Sequence, residues 1–178
     1  MDLPLNPFKR GLKAGQTQIG LWSHLCSPIA TEILSNCGYE WLLLDMEHSP
    51  NDLSEILAQL HAMQGGGATP VVRPPWLDMV LFKRLLDIGV LNLLVPYIQT
   101  EEEARQAVAY TRYPPHGVRG YAGAPRASHY GRVKDYAKRS AEEIGVLVQV
   151  ETLQGLQNLE AIARVDGIDG VFIGPGDL

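Results

Sequence analysis

The sequence has few cysteines, no surplus of basic charge and no long apolar run. Only 2 cysteines, Cys26 and Cys37, occur among its 178 residues. Two thiols cannot build a disulfide framework. They form no CxxC pair either, which argues against a structural zinc site. A reduced, cytoplasmic setting fits them. Lys and Arg number 15 against 20 Asp and Glu, for a formal net charge of −5. No basic cluster stands out, so a nucleic-acid surface is not expected. The longest apolar runs, such as Leu91–Ile98, fall far short of a membrane span. The opening MDLPLNPFKRGLKAG lacks the apolar segment of a secretory signal.

What remains is an ordinary globular balance. Apolar residues make up 46%, charged residues 20% and aromatics 7%. That excludes disordered, collagenous and low-complexity chains. The length suits one domain spanning residues 1–178.

Six runs read as strands: Gln18–Trp22, Trp41–Leu44, Pro70–Arg73, Asn92–Val95, Gly145–Val150 and Gly170–Ile173. They barely alternate between apolar and polar. Near-continuous apolar character means burial on both faces, the habit of parallel strands. Helical patterns lie between them. Ser27-Pro28 fits an N-cap and first helical position before Ile29, Ile33, Leu34 and Cys37, with Gly38 as the stop. Ser49-Pro-Asn-Asp52 repeats the start signal before Leu53, Ile56, Leu57 and Leu60. Val80, Leu81, Leu85 and Ile88 form a third stripe closed by Gly89. Thr100 and Glu103 read as a capping box before Ala104, Ala107, Val108 and Thr111. Lys134–Glu143 is a weaker helix, and Leu153, Leu156, Leu159 and Ile162 mark the last.

Repeated βα units predict a parallel α/β fold. Both an open sheet and a (β/α)₈ barrel accommodate six units. The chain ends at Gly174-Pro-Gly-Asp-Leu178, directly after a strand and with no covering helix. The expectation is therefore a TIM-type (β/α)₈ barrel that lacks its last two βα units. The one long gap between strands holds Arg112–Arg126, a loop expected to be functional or to wrap a neighbour.

In such folds ligands sit at the carboxyl ends of the strands. The polar residues there are Asp45, Glu47 and His48 after the second strand, Arg73 at the end of the third, Gln149 and Glu151 at the fifth, and Asp177 after the sixth. Each has a plain structural alternative: a strand end, a helix-dipole acid or a turn residue. Their convergence on one rim favours chemistry. Glu151 and Asp177 are hard oxygen ligands suited to Mg²⁺ or Mn²⁺. Such an ion polarises the keto group of a 2-oxo acid. Arg73 then holds the keto or enolate oxygen. His48 moves a proton directly or through water on the metal, and Asp45 orients it. The Gly174–Asp177 turn offers backbone N–H groups to a carboxylate. Asp87 precedes its strand, so it joins this rim only through a neighbouring subunit or an unusual loop. Trp22 either lines the pocket or belongs to the core. His24, His61, His116 and His129 lack metal-ligand spacing, and His61 lies near an apolar helix face. Cys26 reads as a small buried hydrophobe. Lys83 sits mid-helix, a poor place for a Schiff base. Gly65-Gly-Gly67 reads as a connector rather than a phosphate loop.

The stretches Gln18–Trp22, Trp41–Asn51, Pro70–Pro74, Thr111–Gly120, Val146–Glu151 and Gly167–Leu178 resemble the HpcH/HpaI family of class II, metal-dependent 2-oxo acid aldolases. They cover nearly the whole chain in order. The resemblance implies a barrel of the phosphoenolpyruvate/pyruvate type, assembled as a homo-hexamer, with a place in aromatic-compound catabolism. It implies reversible cleavage of a 4-hydroxy-2-oxo acid to pyruvate and an aldehyde, with Mg²⁺ or Mn²⁺, or else Co²⁺, as cofactor. By that likeness Glu151 and Asp177 hold the metal, Arg73 binds the keto oxygen, and His48 is the acid/base group. Asp45 and Asp87 assist His48. Gln149 lies beside metal and substrate, and the backbone at Gly176 and Asp177 receives the pyruvate carboxylate. Gly176 stands where many relatives have Ala. Two rival readings are a lyase of CoA-linked acids of the citramalyl or malyl type, for which no basic cluster is evident, and a truncated, inactive subunit that binds its partners.

Overall fold

Strand β2 (Trp41–Asp45) shows how the sheet is built. Leu42 and Leu44 face one side and join the main apolar core, whereas Leu43 faces the other and packs with Val71, Leu94 and Phe8. Successive side chains on a strand point to opposite faces. Both faces are buried, which is why alternation is invisible in the sequence. The computed structural model describes residues 1–178 and contains six parallel strands: β1 (Gly20–Ser23), β2, β3 (Thr69–Arg73), β4 (Asn92–Val95), β5 (Gly145–Val150) and β6 (Gly170–Ile173). They pair strictly in chain order.

The sheet is strongly curled. In a flat sheet β1 and β6 would stand five spacings of about 4.8 Å apart, roughly 24 Å. Instead Trp22 on β1 and Phe172 on β6 bring their ring centroids to 5.4 Å. The strands therefore form an open arc with an inner and an outer face. Phe8, from helix α1 (Pro7–Lys13), packs with Leu43, Val71 and Leu94 on the inner face.

The outer face carries α2 (Pro28–Ser35), α3 (Leu53–Ala62), α4 (Met79–Asp87), α5 (Glu101–Thr111), α7 (Leu153–Gln157) and α8 (Leu159–Ala163), while α6 (Tyr136–Arg139) packs through Tyr136 in a small separate cluster with Leu3, Tyr113, Ala127 and Val133. Ser27 caps α2 with Pro28 in its first turn, and Thr100 with Glu103 forms the expected capping box of α5. The start signal before α3 resolves to Asp52, which forms a capping box with Glu55. Gly89, at φ +100°, ends the turn after α4.

Several expectations are corrected. β1 begins at Gly20 because the preceding residues are engaged elsewhere: Gln18 donates to the Phe8 carbonyl and the Ile19 N–H to Glu40. Lys134–Glu143 is one α-turn, α6, followed by a 3₁₀ turn at Ser140–Glu142, since Asp135 takes a left-handed φ of 56°. The last helix breaks into α7 and α8 at Asn158, whose side chain turns aside to donate to the Gln99 carbonyl at 2.8 Å. Helix α1 was not anticipated. Its signal was present in Asn6-Pro7, since the Asn6 side chain accepts from the Lys9 N–H at 3.0 Å. Cys26 is half-buried, not buried, with a left-handed φ of 51°. His61 is exposed rather than on the apolar face of α3. Apart from these corrections, the Arg112–Arg126 loop is anchored to its own chain at two points. Arg119 reaches Asp87 and Arg126 reaches the Ile88 carbonyl.

Candidate active site

Polar side chains stand on the inner face at the ends of β2, β3 and β5. Asp45 ends β2, Arg73 ends β3, and Gln149 is the penultimate residue of β5, with Glu151 just beyond it. On β1 Trp22 shares this face but pairs in register with Leu43. Strand alternation puts Asp45, Arg73 and Gln149 one step beyond the Leu43, Val71 and Leu147 layer, at the carboxyl rim.

Asp45 is fully buried yet richly partnered. Arg73 Nε donates to its Oδ1 and Arg73 Nη2 to its Oδ2, each at 2.7 Å. The Glu47 N–H adds a bond to Oδ1 at 3.0 Å, and Trp22 Nε1 approaches Oδ2 at 3.5 Å. Burial pushes this carboxyl's pKa up. The hydrogen bonds and charge of Arg73, with the Glu47 N–H, outweigh burial and hold it below the ordinary Asp value.

Arg73 is the centre of the rim. Its guanidinium carbon lies 4.6 Å from the Trp22 ring centroid, a cation–π contact. Nη1 stands 2.7 Å from Glu47 Oε2 and 3.5 Å from Gln149 Oε1. Gln149 passes the network on, its Nε2 donating to Glu151 Oε2 at 2.7 Å. Glu151 Oε1 accepts the Tyr97 N–H at 2.8 Å. Gly174 closes over this pair: a Cβ there would lie 2.8 Å from Gln149 Nε2 and 3.0 Å from Glu151 Cβ.

Glu47 is the electrostatic outlier. Burial raises its carboxyl pKa above the ordinary Glu value. Arg73 and His48 oppose the shift, while the neighbouring Glu151 and Asp45 charges add to it. Its Oε2 is buried with no aligned hydrogen-bond donor.

The remaining candidates are more scattered. The His48 side chain is 67% exposed, and its Nε2 lies 3.8 Å from Glu47 Oε2. Asp45 does not orient it. The imidazole that Asp45 engages is His24, with Nε2 at 2.8 Å from Oδ2. Sequence reasoning passed over His24 for want of ligand spacing; its position one residue past β1 was the available signal. Asp177 and Gly176 are exposed, and a Cβ on Gly176 would meet nothing. No three His, Cys, Asp or Glu side chains stand grouped as a ready-made metal cage. Asp87 stays apart from this rim, at the end of α4, paired with Arg119 at 2.8 Å. Tyr97, unnoticed in the sequence, contributes through its backbone at a left-handed φ of 58°.

This rim can be set beside known proteins. Residues 18–178 match the HpcH/HpaI aldolase/citrate lyase family. The chain belongs to that family. It is 56% identical over 178 residues to the pyruvate aldolase of Rhizobium etli, covering 100% of this chain and 70% of that protein. It is 52% identical to the 5-keto-4-deoxy-D-glucarate aldolase of Escherichia coli, covering 99% of this chain and 69% of the relative. Among solved structures, an HpcH/HpaI aldolase/citrate lyase family protein from Burkholderia cenocepacia J2315 superposes with a TM-score of 0.94 at 40% identity, over 97% of this chain and 70% of that one. Within an HpcH/HpaI chain, then, the rim consists of one buried guanidinium among three carboxylates, Asp45, Glu47 and Glu151, with His24 and His48 at its edge.

Proposed function

We propose that this rim catalyses the reversible, metal-dependent cleavage of a 4-hydroxy-2-oxo acid to pyruvate and an aldehyde, the reaction of a class II aldehyde-lyase. The observation that carries the reading is the fixed guanidinium of Arg73, clamped by Asp45 and aimed, through Gln149, toward Glu151. The aldolase names of the relatives support the reaction class.

The residues present fit a divalent cation. Each oxygen of Glu151 accepts one hydrogen bond, which leaves a lone pair on each for a cation. Burial is the main reason that the Glu47 carboxyl sits above the ordinary value, with smaller contributions from the Glu151 and Asp45 charges that a nearby cation would offset. Glu151 and Asp177 would hold it. An all-oxygen set with places left for water and substrate suits Mg²⁺ or Mn²⁺, and Co²⁺ less well. When bound, the ion polarises the keto group of the substrate.

The chain's own residues do the rest. Arg73 donates a charge-assisted hydrogen bond to the C2 oxygen and offsets the charge that develops there. His48 takes the proton from the C4 hydroxyl. The C3–C4 bond breaks, the aldehyde leaves, and the electron pair moves onto the C2 oxygen as an enolate. A proton returned to C3 gives pyruvate. Trp22 walls the site and holds Arg73 in plane. N–H groups of the Gly174–Asp177 turn receive the substrate carboxylate. On the same reading residues 1–178 are one domain and the arc is part of a (β/α)₈ barrel of the phosphoenolpyruvate/pyruvate type, supported by its curl. The exposed Leu25, Ile29 and Ile33 around α2 support a homo-oligomer, and the free thiols a cytoplasmic enzyme.

The test is deuterium exchange of the pyruvate methyl group, followed by proton NMR with Mn²⁺ or Mg²⁺ and then with a chelator. Exchange that needs the cation and disappears in Arg73→Ala and His48→Ala is the expected result. Undiminished exchange in the presence of chelator would overturn the metal-dependent reading, and no exchange with either metal would overturn the enolate reading.

A further inference from the structure

The end of the arc opposite the rim holds a cavity of about 390 Å³, lined in part by His61, Gln64, Gly89, Arg126, His129 and Tyr130. These residues belong to connections at the amino ends of the strands. His61 and Gln64 lie between α3 and β3, and Gly89 between α4 and β4.

Arg126 is the unusual member. It is half-buried and forms no ion pair, in a chain where acids outnumber bases. Its one side-chain hydrogen bond runs from Nη1 to the Ile88 carbonyl at 2.6 Å. Burial without a carboxylate partner depresses the basicity of this guanidinium. The cavity lining contains no Asp or Glu. It does contain two imidazoles, each of which offers an N–H donor in any protonation state, and a Gln amide that offers two more.

The surroundings are shaped for this side chain. Gly89 adopts φ +100°, and a Cβ there would lie 2.6 Å from Arg126 Nη1. In the same stretch of the lining His129 and Tyr130 take left-handed φ values of 48° and 57°, followed by Gly131 at 82°. Two successive non-glycine residues in that region are uncommon, and such strain gathers at functional sites.

We infer that this cavity is a second binding site, distinct from the rim, for a small oxyanion (a phosphate group or a short dicarboxylate) held by Arg126 with His61, Gln64 and His129. The free guanidinium N–H groups are the primary anchor. The imidazoles and the amide complete the donor shell.

Isothermal titration of the full chain with sodium phosphate and, separately, sodium malonate tests the site, in the presence of chelator so that no cation recruits the anion to the rim. One saturable event is expected. Arg126→Gln should weaken it by at least about tenfold, the loss of one charge-assisted contact. Arg73→Gln, which alters the rim, should leave it in place. Binding of phosphate alone or malonate alone identifies the head group, and either supports the site. If Arg126→Gln does not fold, His61→Gln and His129→Asn take its place, each expected to weaken binding several-fold; Asn tolerates the left-handed backbone of position 129. No saturable binding of either anion would overturn the inference. So would binding that is lost in Arg73→Gln and unchanged by the cavity variants.

Discussion

Asp45 and Arg73 form a two-point clamp: Nε meets Oδ1 and Nη2 meets Oδ2, both at 2.7 Å, with the carboxylate wholly out of solvent. The partners end adjacent paired strands in register with each other. Backbone pairing therefore sets the distance, and the side chains need no search. A lysine has one ammonium and cannot bridge two oxygens in a plane. Arg73→Lys should thus lower the rate of pyruvate methyl exchange by roughly 10²-fold or more, the scale seen when a preorganised donor is lost. It should also cost about 2–4 kcal/mol of unfolding free energy, because Asp45 stays buried with its main partner gone. Exchange kinetics and chemical denaturation report the two effects separately. Exchange retained within a factor of two would show that the planar fork is not required.

Two histidines border the rim, and they are not equivalent. His24 Nε2 contacts Asp45, whereas the nearest carboxylate oxygen to His48 is Glu47 Oε2 at 3.8 Å. If His48 is the proton carrier, His48→Ala should reduce exchange by about 10²- to 10⁴-fold. His24→Ala should reduce it by less than roughly tenfold, because Asp45 keeps its Arg73 clamp. The reverse order would make the Asp45–His24 pair the acid/base unit.

The contrast between these histidines shows what the chain made legible. Asp45, Arg73, Gln149 and Glu151 were readable because strand ends and strand parity are local properties. Runs β4, β5 and β6 were readable to the residue, each bounded by a Gly, Asn or Asp that starts or stops pairing. His24 was only half readable: its place one residue past β1 was a local signal, but its pairing with Asp45 on the next strand depends on the sheet register. The Tyr97 amide, which reaches Glu151 through a backbone turn that no side-chain pattern announces, was not readable. The break in the final helix escaped for a similar reason. Leu153, Leu156, Leu159 and Ile162 keep helical spacing across it, and the cause is a tertiary bond from Asn158 to Gln99.

Glycines at the start of the last turn differ in the same concrete way. A methyl group at Gly174 would press on Gln149 and Glu151, but at Gly176 it would meet open space. Gly174→Ala should therefore destabilise the fold by about 1–3 kcal/mol, a typical cost of overpacking, and weaken Mn²⁺ binding by displacing Glu151. Gly176→Ala should stay within about 0.5 kcal/mol of the parent. Thermal unfolding with and without Mn²⁺ measures both. Equal behaviour of the two variants would contradict the packing described at Gly174.

At the opposite end of the arc, Glu143 ties α1 to the segment before β5. It accepts the Asn6 N–H at 2.7 Å and pairs with Arg10. Burial pushes its carboxyl pKa up, but the Arg10 and Asn6 hydrogen bonds and the Arg10 and Lys9 charges pull it below the ordinary Glu value of 4.5. A carboxyl with a depressed folded-state pKa binds fewer protons when folded than when unfolded. Its contribution is fully present above the unfolded pKa and fades as pH falls below 4.5 toward the folded value. Asp45 acts in the same sense from its own lower reference. Unfolding free energy should therefore be flat with respect to these groups near neutrality and decline in the acid range below about pH 4.5. Glu143→Gln keeps the shape and removes the titrating group, so it should lower stability near pH 7 and make the acid decline shallower. Denaturation curves at a series of pH values decide the matter. An acid limb as steep in Glu143→Gln as in the parent would mean that this carboxylate does not anchor α1.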